Sequence, residues 1–512
     1  MVTTGDAMRN HFSLHLYKYG MRYMISVALI YVFIKWMNRE PRMPDPLLPS
    51  EVDAIELFGD QLHGDGLHFT WAHAVNSQAK LDSALQAGVN GIEADVILKN
   101  EGTIDQELLP IMAHPPALRS DITLRLFLHQ TIVGDSMIKL DFKSISSVEL
   151  SLQILSQLSD QIKVPVWLNA DILKGPGNVG LPPVDATSFL KKIETSQFKH
   201  YTLSLGWTSS VEVLQSYSWE HVYDMYKLLK PRIVSSQSIT FPVNAALLRG
   251  SIIPLKWLCE QFDSSLTIWQ SQAHVEISEL VYARIKFPKN KIYYDLQEET
   301  MAKFIAVAND NRTLKEEHRV REAHSYATQH WILKVSNKEQ SSLLVGDDVI
   351  WLSGPDAQVI SSRKVKRGET FSIKGSVTFL PRTGDKSNLQ IFLFGRGDVM
   401  NHPSGIRCSI DSKGRMVIAS DHLKTSQLYK DEQLDGVPAG CIQFHITVSD
   451  NNIEFLAAAP ESNCHVMQDL MKPKTLQVTL NEDELVVPFP VIIRNSRNEG
   501  YAIAEQMKLE YS

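Results

Sequence analysis

Two acidic residues sit inside a run that otherwise reads as a buried strand: Glu93 and Asp95 in GIEADV. Side chains alternate across a strand, so residues two apart point to one face. Two carboxylates aimed at one spot in an apolar interior cost several kcal/mol per ion unless a cation or donors compensate. A third carboxylate, Asp141 in MIKLDFKS, ends another apolar run, and Lys143 follows two residues later on the same face. Three oxygen ligands with no cysteine nearby suit a hard divalent cation, magnesium before calcium, better than zinc. Two histidines, His73 in WAHAVNS and His114 in IMAHPP, bracket the Glu-x-Asp pair. An unperturbed imidazole titrates near 6.5 and can serve as general base or general acid.

The elements that must position these residues follow from the pattern. A chain of 512 residues is too long for one ordinary core, and 44% hydrophobic with 21% charged residues is a globular composition. The net charge of -7 argues against nucleic acid as a partner. From Leu57, apolar runs alternate with helical periods, the mark of α/β architecture. Strands are predicted at Leu67 to His73, Gly91 to Leu98, Met137 to Lys143, Val164 to Asp171, Tyr201 to Trp207, Ile233 to Val243, Ser265 to Gln270 and Lys291 to Asp295. Eight is the strand count of a closed barrel. Helices are predicted at Ser77 to Gly88, from a capping box at Ser146-x-x-Glu149 to about Ile162, and over Val211 to Lys230, Asn244 to Phe262 and His274 to Ile285. Lys99 to Pro116 lacks a helical period and reads as an inserted loop or hairpin that brings His114 back over the barrel mouth.

Barrel sites lie at the C-terminal ends of strands. His73, Glu93, Asp95, Asp141, Lys143, Asn169, Asp171 and Trp207 all fall at or near such ends. Each has a plainer reading: a hydrogen-bonded core histidine, a salt-bridge partner, a loop-ordering Asn169 or Asp171, a core tryptophan. Their coincidence at one end favours a site.

In order, AHAVNS, GIEADV, AHPP, LDFK, VWLNADILKGPG and LSLGWT, over roughly Leu57 to Leu296, resemble the menorin family most closely. His73 with Asn76, then Glu93-Ala-Asp95, His114 and Asp141-Phe-Lys143 resemble the glycerophosphodiester phosphodiesterase and phospholipase-C-like superfamily, of which that family is a part. The resemblance implies an α/β (β/α)8 TIM barrel of PLC-like phosphodiesterase type. It implies His73, His114 and Lys143 as catalytic residues and Glu93, Asp95 and Asp141 as ligands of a divalent cation, Mg2+ first and Ca2+ second. Asn76, Asn169, Asp171, Lys174 and Trp207 are then candidate substrate contacts. The implied reaction makes this a phosphoric diester hydrolase or lyase in which a neighbouring hydroxyl attacks phosphorus, on a glycerophosphodiester, a lysophospholipid head group or an RNA-like compound. The chain departs from the superfamily at His73-Ala74-Val75-Asn76-Ser77, where an arginine commonly follows the histidine. That guanidinium would be the natural phosphate clamp, so Lys174 or Arg249 would have to substitute. Menorin-type proteins are also associated with extracellular complexes that pattern neuronal dendrites. A non-catalytic binding or adhesion cofactor with extracellular protein partners is therefore the competing class, and fold alone does not decide between them.

Lys18 and Arg22, the apolar run Tyr23 to Ile34, and Lys35 predict a secretory signal or uncleaved membrane anchor, with a proline-rich linker at Pro41 to Pro49. The chain is then secreted or anchored with the barrel on the extracellular or lumenal side. Asn311-Arg312-Thr313 is a glycosylation sequon. From about Gln329 short alternating runs, with turns at Asp411 to Gly414 and Asp450 to Asn452, predict an antiparallel β-sandwich. The expected organisation is thus residues 1–50 as signal or anchor, 51–320 as barrel and 321–512 as sandwich. Arg396-Gly397-Asp398 reads as a turn needing glycine rather than an adhesion tripeptide. Four cysteines show no zinc spacing, and one disulfide among Cys408, Cys441 and Cys464 fits an oxidising compartment.

Overall fold

The computed structural model describes residues 54, 58–177, 182–210, 216–233, 237–310, 312 and 314. Within 331–511 it describes everything except 336–341, 347–348, 354–356, 367, 381–386, 395–404, 421–427, 436–440, 461–471, 481–488 and 496–500. The N-terminal signal or anchor segment, the sequon as a whole and the Arg-Gly-Asp tripeptide lie outside the described residues. Among the described residues no helix is long and apolar enough to cross a membrane.

The strands of the first half are β1 Trp71–Ala72, β2 Gly91–Leu98, β3 Pro110–Met112, β4 Met137–Phe142, β5 Val166–Lys174, β6 Thr202–Thr208, β7 Ile239–Asn244, β8 Ser265–Trp269 and β9 Ile292–Asp295. The helices between and after them are α1 Gln78–Ala87, α2 Leu124–Thr131, α3 Ile145–Leu158, α4 Ala186–Thr195, α5 Trp219–Leu229, α6 Ile252–Phe262, α7 Ile277–Lys286 and α8 Glu298–Ala308. The parallel path runs β1-β2-β4-β5-β6-β7-β8-β9, and β3 pairs antiparallel with β2. A closed eight-stranded parallel barrel of phosphodiesterase type is therefore not what the backbone forms. The sheet is barrel-like, carries a ninth, antiparallel strand, and has no backbone ladder joining β9 to β1 among the described residues. The cause lies in the predicted strand Leu67 to His73. Asp65 accepts from Leu67 N and caps a 3-10 turn at Gly66–His68, leaving only two residues to pair as β1. Side chains bridge the two ends instead: the Trp71 and Tyr293 rings, and His73 with Asp295.

Local chemistry explains the helices. Ser77 accepts from Lys80 N at the start of α1, and Gly88 ends it in the left-handed conformation. The expected capping box at Ser146 is displaced, since α3 begins at Ile145 after Ser144 and Ser146 turns its hydroxyl to Glu101. Its buried residues Val148, Leu152, Leu155 and Leu158 keep the helical period that seats it on the sheet.

The interior is graded. At the N-terminal ends of the strands Phe69, Met137, Trp167 and Tyr293 form an aromatic plug. A Cβ on Gly91 would lie 2.7 Å from the Phe69 ring, so this strand start must be bare. Above the plug Lys139 is buried, its ammonium 5.8 Å from the Trp71 ring centroid. Towards the C-terminal ends the inward positions become polar.

Among the described residues the second half forms two seven-stranded antiparallel sheets whose inner faces share one hydrophobic core, with Ile391 and Leu393 from one sheet and Ile373 and Phe444 from the other. Pro49–Ser512 is one compact unit. Trp219 and Trp257 on α5 and α6 meet Trp351, and the Trp219 indole donates to Glu505 at 3.1 Å. Cys441 is disulfide-bonded, whereas Cys259 and Cys408 are free and buried.

Candidate metal centre

β2 and β4 pair in register Glu93 to Lys139 and Asp95 to Asp141, so their inward positions form two stacked rows. One oxygen each of Glu93, Asp95 and Asp141 lies within 4.8 Å of the others. Donors fix these carboxylates. Ala74 N–H donates to Glu93 Oε2 at 2.6 Å from a left-handed backbone with φ 53°, a conformation that costs an alanine about 1 kcal/mol or more. The Asn76 amide donates to Asp95 Oδ2 at 2.6 Å, while its carbonyl accepts from Asp95 N at 2.9 Å. Asn76 is thus a clamp on a carboxylate, which differs from the substrate contact expected of it. Lys143 Nζ spans Asp141 Oδ2 at 2.6 Å and Asp95 Oδ1 at 3.1 Å.

His73 Nδ1 lies 2.7 Å from Asp295 Oδ2 and 3.6 Å from Glu93 Oε2. Burial pulls the imidazole down, but Glu93 and Asp295 together outweigh it and Lys139, and raise the ring to about 9. An unperturbed His73 is therefore corrected: at neutral pH the metal-free ring carries its proton. Burial also raises Glu93, with Asp95 and Asp141 adding to it against His73 and Lys139. Asp141 is lowered, because Lys143, Lys139 and a hydrogen bond from Asn169 outweigh its burial. Lys143 is held well above its ordinary value, its burial outweighed by Asp141, Asp95, Asp171 and Glu93. Burial, then Asp141, lifts Asp171 to about 7.

Other predicted residues fall in different places. Asn169 is buried beside Asp141 and accepts from Ser204 Oγ at 2.5 Å, so it supports a ligand rather than facing a substrate. His114 follows β3, anchored by Ala113 N–H to Asp95 O at 3.0 Å; it is exposed, with Nδ1 2.6 Å from Pro115 O. Lys174, at the end of β5, is exposed. Trp207 does not line the mouth. It shares the outward parity of Leu203 and Leu205, packs on Tyr217 and Phe241, and donates to His221 O at 3.3 Å. Arg249 is exposed and supplies no phosphate clamp here. Two residues were missed by sequence reasoning: Asp295, which holds His73, and the buried Lys139. The signal for both was a charged residue inside an apolar strand, YYD for one and MIKL for the other.

The donor set fits a hard divalent cation. Five carboxylates, Glu93, Asp95, Asp141, Asp171 and Asp295, act on this interior, against Lys139, Lys143 and the His73 ring. Burial first, and the neighbouring carboxylates after it, raise Glu93 and Asp171.

Solved structures similar to this chain include a legume lectin-like domain from Entamoeba histolytica (12% identity, TM-score 0.25, 36% of this chain and 91% of that one). Another is the alginate lyase A1-II' of polysaccharide lyase family 7 (14% identity, TM-score 0.26, 37% and 96%). A third is the exoplasmic/lumenal domain of VIP36 (10% identity, TM-score 0.26, 36% and 85%). The unclosed sheet, with its ninth, antiparallel strand, overturns the assignment to a PLC-like TIM barrel. The family model described as the Menorin N-terminal domain matches residues 65–301. Human Protein FAM151B is 41% identical over 234 residues, 45% of this chain and 82% of that protein. On that match, which spans every carboxylate of the cluster, the chain belongs to the menorin family.

Proposed function

We propose that this menorin-family chain is a divalent-cation-dependent phosphodiesterase, related to the glycerophosphodiester phosphodiesterases in its chemistry, that cleaves a phosphodiester bearing a neighbouring hydroxyl. The observation that carries the reading is the convergence of Glu93, Asp95 and Asp141 within 4.8 Å, two of them held by 2.6 Å donors. Glu93, Asp95 and Asp141 would hold the cation, magnesium before calcium, which would supply Lewis-acid chemistry. The neighbouring hydroxyl forms the new bond to phosphorus and its proton passes to His114. The bond from phosphorus to the leaving oxygen breaks as His73, protonated and oriented by Asp295, gives that oxygen its proton. The products are a cyclic phosphate and an alcohol. Lys143 offsets charge gathering on the phosphoryl group. The disulfide at Cys441 supports a secreted or lumenal setting.

One observation favours a second reading, a non-catalytic extracellular cofactor. The Lys143 ammonium already bridges Asp95 and Asp141 and can act as an internal cation. Calorimetric titration with Mg2+ and Ca2+, beside cleavage of lysophosphatidylcholine and glycerophosphocholine with and without EDTA, separates the two. The enzyme reading expects one site per chain that Glu93→Ala abolishes, and cleavage lost with EDTA, Glu93→Ala or His73→Ala. No cation binding, together with activity indifferent to all three, refutes it.

A further inference from the structure

The half of the mouth away from Glu93, Asp95 and Asp141 has its own chemistry. The 2.7 Å contact between Thr240 Oγ1 and Thr267 Oγ1 fixes which residues of β7 and β8 point inward, and by alternation Asn244 and Trp269 are the last inward residue of each strand. Ser204, bonded to Asn169, does the same for β6 and makes Thr208 its last. Trp269 is in register with both Asn244 and Asp295, so it stands beside the carboxylate that orients His73.

These groups are not used up by the fold. Trp269 is half-buried, and its indole N–H and ring have no hydrogen-bond, aromatic or cation partner among the described residues. The other described tryptophans pack on aromatic rings or, as Trp331 does, donate to a carbonyl. Thr208 is 93% buried by its 7% exposure, yet its Oγ1 has no partner. A buried hydroxyl left alone is costly, and a ligand that bonds to it would recover that cost. Asn244 is buried, and its amide nitrogen reaches only Ser271 Oγ at 3.4 Å, leaving donor capacity.

Resting on the phosphodiester reading of the same site, we propose that Trp269, Asn244 and Thr208 form the subsite for a hydroxylated ring, making the substrate a sugar-type phosphodiester. A pyranose lays an apolar face on the indole while its hydroxyls meet the amide and the threonine. A ring hydroxyl next to the phosphate then also supplies the attacking oxygen. A quaternary ammonium would use the indole and leave Asn244 and Thr208 unsatisfied; an acyl chain would satisfy neither.

The test is calorimetric binding of glucose 1-phosphate, glycerol 3-phosphate, phosphocholine, adenosine 5'-monophosphate and inorganic phosphate to the full chain with Mg2+. Glucose 1-phosphate is expected to bind about tenfold tighter than glycerol 3-phosphate or inorganic phosphate. Trp269→Ala should erase that preference, Trp269→Phe keep most of it, and Thr208→Val reduce it. Equal binding of ring and non-ring phosphates by the wild type, tighter binding of phosphocholine or the nucleotide, or a preference that survives Trp269→Ala overturns the subsite. Cleavage of glycerophosphocholine, which carries a hydroxyl next to its phosphodiester, is followed in parallel. Cleavage without ring preference removes the subsite and leaves the chemistry, whereas Trp269-dependent ring preference without cleavage removes the chemistry and leaves the subsite.

Discussion

Replacing Asp295 by Asn keeps the shape of the side chain and removes its charge, so it isolates what the carboxylate does to His73. Burial alone would lower the ring; Glu93 at 3.6 Å and Asp295 at 2.7 Å reverse that and bring it from 6.5 to about 9. At face value such a lift corresponds to about 3 kcal/mol. The ring is 48% exposed, and solvent screening reduces its share of stability to about 1 kcal/mol. With Asp295 neutral and Glu93 remaining, the ring should titrate below its wild-type value.

The sign of the stability effect follows from linkage. A histidine whose folded value exceeds its unfolded one stabilises fully below the unfolded value, here 6.5, and loses that contribution as pH rises through about 9. Asp295→Asn should therefore cost about 1 kcal/mol at pH 6 and close to nothing above pH 10. Histidine-labelled protein in EDTA, titrated by carbon-detected NMR with His73→Gln for assignment, reads the ring directly, and urea unfolding at the two pH values reads the stability. A wild-type His73 titrating near 6.5, or a variant titrating where the wild type does, would show that Asp295 does not hold the proton on the ring.

Lys143→Met removes the ammonium that spans Asp95 and Asp141. The metal-free protein should lose about 3 kcal/mol, and millimolar Mg2+ should restore much of it, read as thermal midpoints with and without the cation. A loss that Mg2+ does not touch counts against a cation site. Below the plug, Arg284 grips Asp65 through two bonds of 2.9 and 2.6 Å, both residues buried. Burial raises Asp65, but Arg284, Leu67 N–H and Lys289 outweigh it and leave it below 3.8. Its stabilisation is present above the unfolded value and is lost as pH falls through the lower folded one. Asp65→Asn should thus cost about 3 kcal/mol at pH 7 and markedly less near pH 3, measured by urea unfolding.

Much of the site was legible because a strand buried on both faces leaves its polar residues conspicuous. In β2 and β4 a period of two places Glu93, Asp95 and Asp141 on one face. The same reasoning, carried through, would have rejected Trp207: in TLSLGWT it shares parity with Leu203 and Leu205, while Ser204 and Gly206 face inward. Trp269 holds the corresponding inward place in SLTIW. Other features could not be read locally. Asp295 meets His73 across 222 positions of chain, a pairing that exists only once the sheet curls. The missing β9 to β1 ladder depends on Asp65 capping a turn, and with Arg284 gripping it that aspartate belongs to tertiary structure, not to the hydrophobic pattern.

The charge inventory weighs the two functional readings against each other. A scaffold could retain Asp141 with Lys143 as an ordinary ion pair, and Asp295 with a protonated His73 as another. Those pairings still leave Glu93 raised by burial and by its neighbours, and Asp171 raised to about 7 with only Gly206 to make room for it, since a Cβ there would sit 2.5 Å from Asp171 Oδ1. Nothing in a purely structural role calls for such a concentration at the open end of the sheet, when the closed end is filled with Phe69, Met137, Trp167 and Tyr293. Apolar packing of that kind would have served stability at least as well as buried charge. A divalent cation held by Glu93, Asp95 and Asp141 would relieve Glu93 directly and would offset the Asp141 charge that helps to raise Asp171.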